Sequence, residues 1–315
     1  MSDIIKNIES KKSEEALISE FAKGIFIEQR RNRRWGIFFK MLFVLYLSTF
    51  LIIYIVKNTE FGSFSTHKHS ALIEINGVIA ANTEARADYV ITGLRRAFKD
   101  ENTQGVILRI NSPGGSPVQA GYINDEIIRL REKHPDIPIY TVITDMCASG
   151  GYYIAASTDK IYANKASIVG SIGVIMAGFG FVETIEKLGI ERRLLHAGDN
   201  KGFMDPFQPL KTAEATHVQG LLNEIHQQFI DVVKHGRGVR LKDDEKLFSG
   251  LIWTGSESIK LGLVDELASA SQVARDVIGA EDIIDYTKRE SYLDEFAKNI
   301  GSAMLQSMTD TIRLQ

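Results

Sequence analysis

The chain has 315 residues, 44% of them hydrophobic, and a net charge of −3, so it offers no basic surface for nucleic acid. Its single cysteine, Cys147, excludes an internal disulfide and a cysteine-built metal site. The seven histidines lack metal-ligand spacing, and His67 and His69, two apart in a polar stretch, read as solvated side chains.

Residues 1–35 are polar and charged and close with Arg30-Arg31-Asn32-Arg33-Arg34, followed by Trp35. An apolar run then covers 36–56, broken only by Lys40 near its start, where the side chain can snorkel. At helical rise such a run crosses a hydrocarbon core of about 30 Å. Trp35 and Tyr54 suit the two interfaces, and the arginine cluster before the run predicts a cytoplasmic N-terminus. The leading region is long and no small-x-small site follows Val56, so an uncleaved signal anchor is expected rather than a cleaved signal peptide. Residues 57–70 read as a linker.

From residue 71 the pattern alternates between strand and helix. Ala71 to Ile79 is a strand with a break at Asn76-Gly77. Ala87, Ile91, Leu94 and Phe98 recur at helical spacing within Glu84 to Lys99. Gly105 to Ile110 is a strand, and Pro117 to Lys133 a helix with proline in its first turn. Pro138 to Thr144 is a strand, Ser149 to Ser157 a short helix, and Lys160 to Ala163 and Ile172 to Met176 are short strands. Phe179 to Leu188 is helical and Glu191 to His196 a strand. A Gly/Pro-containing loop covers 197–210, and a long helix Thr212 to His235, with Thr212 as its cap. Helices at Ser256 to Leu261 and Ala268 to Ile278 and a strand at Asp282 to Tyr286 complete an α/β domain over 71–290 with a largely parallel sheet. The tail, 291–315, sets Leu293, Phe296, Ile300, Met304, Met308 and Ile312 at helical spacing, a packing helix.

Two strand-turn-helix corners carry the chemistry. In Thr144-Asp145-Met146-Cys147-Ala148-Ser149-Gly150-Gly151-Tyr152-Tyr153 an apolar strand runs into a serine and two glycines, and Asn111-Ser112-Pro113-Gly114-Gly115 precedes it by one βα unit. Such corners can supply a nucleophile and backbone donors for an oxyanion. Asn111 to Gly115, Ala148 to Tyr153, Val169-Gly170-Ser171-Ile172-Gly173-Val174 and Trp253-Thr254-Gly255 together resemble the signal peptide peptidase A family, short single-domain form. The Asn-Ser-Pro-Gly-Gly element alone is shared with the Clp protease subunit and the crotonases.

The resemblance implies a ClpP/crotonase-like α/β fold behind one transmembrane helix. It implies a serine endopeptidase of the inner (plasma) membrane, catalytic domain extracytoplasmic, that degrades cleaved signal peptides and other hydrophobic peptides with a Ser-Lys dyad and no cofactor. Ser149 would be the nucleophile, Lys201 the general base and Ser171 the serine that hydrogen-bonds it. Gly114 and Gly150 would be the oxyanion donors, with Gly115 able to replace Gly114. In the tandem members of the family the serine and lysine of one site come from different copies of the domain, so a single-copy chain is expected to form a homo-oligomeric ring with shared sites.

The residues alone leave blander readings. Ser149 could be a helix cap, Ser171 a turn serine between glycines, and Lys201 a solvated loop cation. Lys160 and Lys165 read as exposed strand-end charges, and Cys147 as a buried, inert thiol. The Clp protease subunit takes its base from a histidine after the nucleophile helix, but Ile168 to Met176 contains none, which leaves His196 as a weak alternative base. A catalytically silent membrane scaffold and a crotonase-type acyl-CoA enzyme are the rival classes. Covalent labelling of Ser149 and absence of CoA binding separate them from a peptidase.

Overall fold

The computed structural model describes residues 28–53 and 67–289. Tyr54, Val56, most of the expected linker and the apolar stripe of the tail lie outside the described residues, as do residues 1–27. The chain divides into two units, 1–64 and 65–315.

Of the first unit the structure describes one helix, α1 (Glu28–Ile53), which contains an 18-residue stretch of mean hydropathy 2.2. Its 26 residues reach about 39 Å at 1.5 Å each, enough for a bilayer core. It is the one helix among the described residues that is long and apolar enough to cross a membrane. It starts eight residues before Gly36, so Arg30, Arg31, Arg33 and Arg34 stand on its first turns. Trp35, Phe38 and Phe39 cluster, each ring pair 5.7 Å apart.

The second unit is built on parallel strands β1 (His69–Asn76), β2 (Thr103–Ser112), β3 (Ile139–Ala148), β4 (Lys160–Ala163), β5 (Ile168–Gly170), β7 (Glu266–Leu267) and β8 (Ile283–Asp285). β6 (Ile252–Thr254) adds an antiparallel edge, and the main path runs β6-β5-β3-β2-β1-β8. Strand β3 changes neighbour along its length. Tyr140 to Ile143 pair with β4, while Met146 to Ala148 pair with β5. Its register on β2 slips between Ile110 and Ser112, so the sheet forks just before residue 149.

The strands are near-continuous apolar runs because both faces are covered. One face carries α2 (Ala87–Lys99), α3 (Pro117–Lys133), α4 (Gly150–Ala155) and part of α6 (Thr212–Arg237) over Ile73, Ile75, Leu108, Ile110 and Ile143. The other packs Leu72, Ile107 and Val142 against a helical stretch that begins as α8 (Ala270–Gln272) and winds as a π-helix through Ile278. In chain order, α5 (Val182–Lys187) follows β5 and α7 (Gly255–Lys260) follows β6. Arg237, 1% exposed, ends α6 with two 2.9 Å bonds to Asp265 and a third to the Gly262 carbonyl. Burial alone would raise the Asp265 carboxyl, but the Arg237 guanidinium holds it below the usual carboxylate range.

Several sequence expectations need correction. Neither Ile172–Met176 nor Glu191–His196 is a strand. The strand in that region is β5, and after it Ser171 N–H donates to Leu251 O while Ile172 O accepts from Gly250, and the chain then leaves the sheet. Both segments carry β-compatible apolar residues, but no strand pairs with them among the described residues, and Ile175 (88% exposed) and Leu195 (98%) face solvent. Thr212 is the first residue of α6; the cap position is Lys211, with no side-chain cap bond. His69 is buried: its Nε2 lies 3.0 Å from the Tyr286 hydroxyl, which donates to Asp100.

Candidate active site

Ser149 sits at the fork, between β3 and α4, with φ 50° and ψ −122°. A left-handed φ is strained for a side chain with a Cβ and persists only where surrounding packing imposes it. Here the imposing contacts are β5 and the second corner. Ser149 N–H donates to Gly170 O (2.9 Å), which fixes the backbone at the strand end. A Cβ on Gly114 would stand 2.7 Å from both Gly150 N and Ser149 Cβ, so only glycine lets the two corners meet. The Ser149 side chain is half-buried, and no hydrogen bond engages its Oγ among the described residues.

The Pro-Gly-Gly corner is locked by Ile79. Ile79 N–H donates to Gly114 O (2.9 Å), and Ser116 N–H donates to Ile79 O (2.7 Å). In this parallel bridge the residue between those two, Gly115, has its own N–H turned away from Ile79. Its nitrogen lies close to Gly150, whose Cβ, if it had one, would be 3.3 Å from Gly115 N. The Gly114 N–H is occupied, donating to Ser112 Oγ at 3.1 Å. Sequence reasoning named both glycines and could not choose between them. Ile79 and Ser112, whose hydrogen bonds distinguish the two amides, carry no local signal in the sequence.

Ser171 also has a left-handed φ, 52°. The β3–β5 register pairs Ala148 with Gly170, which puts Ser149 and Ser171 side by side at two parallel strand ends. Trp253, on β6, lies against Gly170, where a Cβ would approach its ring to 2.7 Å. The Gly170-Ser171 and Trp253-Thr254-Gly255 motifs are thus one contact. Cys147 points into the core, and burial pushes its thiol up, away from reactivity. Lys160 pairs with Glu266 at 3.1 Å, and Lys165 is exposed.

Lys201 lies elsewhere. It is exposed on an arm, residues 173–211, that leaves the sheet after β5 and returns at α6. Its N–H donates to Gly198 O (3.0 Å), but its Nζ makes no hydrogen bond or ion pair with Ser149, Ser171 or any other described residue. His196 is exposed on the same arm, its Nδ1 3.0 Å from Gly198 O. The structure therefore brings Ser149, Ser171, Gly114, Gly115 and Gly150 together and leaves both candidate bases outside that cluster. Among the described residues there is no group of three or more His, Cys, Asp or Glu that could hold a metal.

A forked parallel sheet with a strained serine facing a Pro-Gly-Gly corner defines a ClpP-like α/β fold of the peptidase kind. A family model described as peptidase family S49 matches residues 131–281. The chain is 31% identical over 259 residues to the slr0021 protein of Synechocystis sp., named as a protease, covering 79% of this chain and 90% of that one. It is 32% identical over 239 residues to an Enterococcus faecium protein named as a signal peptide peptidase SppA, covering 73% and 66%. A stretch of 186 residues is 45% identical to part of the Na(+)/H(+) antiporter NhaA of Brucella abortus, 59% of this chain but a quarter of that protein's length. The chain belongs to peptidase family S49, as a member of the signal peptide peptidase A type.

Proposed function

We propose that this chain is a serine endopeptidase, anchored in the inner membrane by α1 with its N-terminus cytoplasmic, that degrades signal peptides and other hydrophobic peptides left in or at the membrane. The observation that carries the reading is the left-handed Ser149 at the end of β3, its side chain unengaged and flanked by the amides of Gly150 and Gly115. Ser149 Oγ attacks a peptide carbonyl carbon while the neutral Lys201 amine takes its proton. The tetrahedral oxyanion accepts from Gly150 N–H and Gly115 N–H, the latter taking the place expected for Gly114. Collapse breaks the C–N bond, and the Lys201 ammonium gives its proton to the leaving amine. Water then attacks the acyl ester, passing a proton to Lys201 that returns to Ser149. Ser171, beside Ser149, orients the lysine.

Among the described residues Lys201 Nζ makes no hydrogen bond or ion pair, and on this reading the site is completed by a neighbour. Ser149 of one protomer meets Lys201 of the next, and this head-to-tail contact closes into a ring. The exposed Ile175, Phe179 and Leu195 on the arm suit such a contact. The test is Ser149→Ala, assayed in detergent on a fluorogenic apolar peptide. The substitution should lower the rate by about 1,000-fold or more without changing the melting temperature. Turnover at the unsubstituted rate would exclude Ser149 as nucleophile.

A further inference from the structure

The loop that carries Lys201 is held from below by two nearly buried carboxylates. Glu214, in the first turn of α6, has a side chain 11% exposed. Its Oε2 accepts the N–H of Met204 (3.2 Å), and its Oε1 meets Lys211 Nζ (3.3 Å). Met204 is the third non-glycine residue with a left-handed φ, 58°, after Ser149 and Ser171. Asp205, its neighbour, is 7% exposed. One of its oxygens accepts Phe207 N–H (3.0 Å) and the other Arg192 Nε (3.1 Å). The Phe207 N–H and the Arg192 guanidinium hold this carboxyl below the usual carboxylate range. The turn is fastened on its far side too, by Phe181 N–H donating to Pro206 O (2.7 Å) and by the Phe181 and Phe207 rings stacked 5.6 Å apart.

We propose that Glu214 and Asp205 are positioning residues for Lys201: they fix the left-handed turn at Met204, and through it the loop three residues upstream, without pairing with the lysine. The proposal rests on the reading of Lys201 as base. Its chemical sense lies in where the charges go. A carboxylate free to reach Lys201 Nζ would keep the amine protonated and idle. Here the two acids that fasten the Met204 turn are spent on backbone N–H groups, Arg192 and Lys211, and Asp199, two residues before Lys201, makes no ion pair with it, so the loop is made rigid by negative charge that the lysine does not share. A strained residue kept by a specific side chain is expected where geometry matters to a reaction. Glu214 therefore acts through Lys201 and does not touch substrate.

The experiment compares Glu214→Ala, Glu214→Gln and Lys201→Ala in the full-length protein on one peptide, with kcat, KM, the pH–rate profile and the melting temperature measured for each. Glu214→Ala should lower kcat by about 10- to 100-fold with KM nearly unchanged, the cost of a misplaced catalytic group. The pH giving half-maximal rate should move upward, because a loose loop readmits water to the amine. Glu214→Gln keeps an oxygen for Met204 N–H and should recover most of the rate. Wild-type kcat and profile in Glu214→Ala, beside a dead Lys201→Ala, would overturn the positioning role and leave the base reading intact. Equal losses in Ala and Gln variants would also overturn it. If Lys201→Ala turns over normally, the base reading fails and the positioning role falls with it. Should Glu214→Ala lower the melting temperature sharply, Arg192→Met cuts only the outer tie. A several-fold loss of kcat with the same upward pH shift supports the proposal, and an unchanged profile contradicts it.

Discussion

The Ser149 corner and the Lys201 arm are built on opposite principles. The corner is over-determined: β3, β5, the Ile79 bridge, Trp253 and two glycines without room for a Cβ leave Ser149 one conformation. The arm is well tied within itself, through Glu214, Asp205 and Phe181, yet it exposes Ile175, Phe179 and Leu195 and leaves Lys201 Nζ without a hydrogen-bond or ion-pair partner among the described residues. A region that buries its backbone and keeps a strained residue is finished by its own chain. A region that is internally ordered but apolar outside is finished by something else. On the proposed function, this difference corresponds to a nucleophile and a base in separate halves of one site, each carried by a different copy of the chain.

Substitutions should separate the halves in order of effect. Lys201→Ala should reduce turnover by about 1,000-fold, close to Ser149→Ala, since members of a dyad act as a unit. The proposed mechanism uses the neutral amine, so on that mechanism the wild-type rate should climb with pH. Loss of activity in His196→Ala with normal turnover in Lys201→Ala would hand the role to the histidine. Next comes Gly115→Ala, whose Cβ would fall 2.1 Å from Ile79 O and displace the Pro-Gly-Gly corner. Loss of one oxyanion donor predicts a drop in kcat of about 100-fold or more, with α-helical circular dichroism unchanged. A normal rate would return the donor role to Gly114.

On the arm, Leu195→Glu with Ile175→Glu should leave the melting temperature of the domain nearly unchanged, because neither side chain is buried in one chain. The same pair should shift sedimentation toward the monomer and lower activity in proportion. A stable, active oligomer would break the contrast between the regions. The smallest effect is purely structural. Glu126, bridging Arg129 on its own helix and Arg95 on α2, has its carboxyl held down to about 2 by those guanidinium groups. Its folded value lies below the ordinary one, so its stabilisation is complete above about pH 4.5 and disappears as the pH falls through about 2. Glu126→Gln should lower stability by about 1 kcal/mol at pH 7 and remove that acid-dependent part, with no change in turnover.

What the sequence made readable follows the same division. α3 is legible to the residue, because Ser116 caps it and Pro117 opens it, and β4 because its apolar run is bounded on both sides. Ser149, Ser171 and the glycine corners stand out because each lies at a strand end where small residues are needed for close approach. Their side-by-side placement comes only from the β3–β5 register, which no local pattern carries. The arm misleads, since Ile172–Met176 and Glu191–His196 are short stretches with apolar residues, as strands have, while no strand among the described residues pairs with them. His69 misleads in the other direction: its polar surroundings in sequence conceal a buried contact with Tyr286, 217 residues away.

The central claim, one site built from two chains, is tested most directly by mixing. Ser149→Ala and Lys201→Ala chains, each inactive alone, are co-expressed, purified together as an oligomer and assayed on the apolar peptide. The shared site predicts that activity returns, because some boundaries pair an intact Ser149 with an intact Lys201. Co-purified mixtures that stay inactive while the wild-type oligomer turns over, or a wild-type monomer that is fully active, would contradict it.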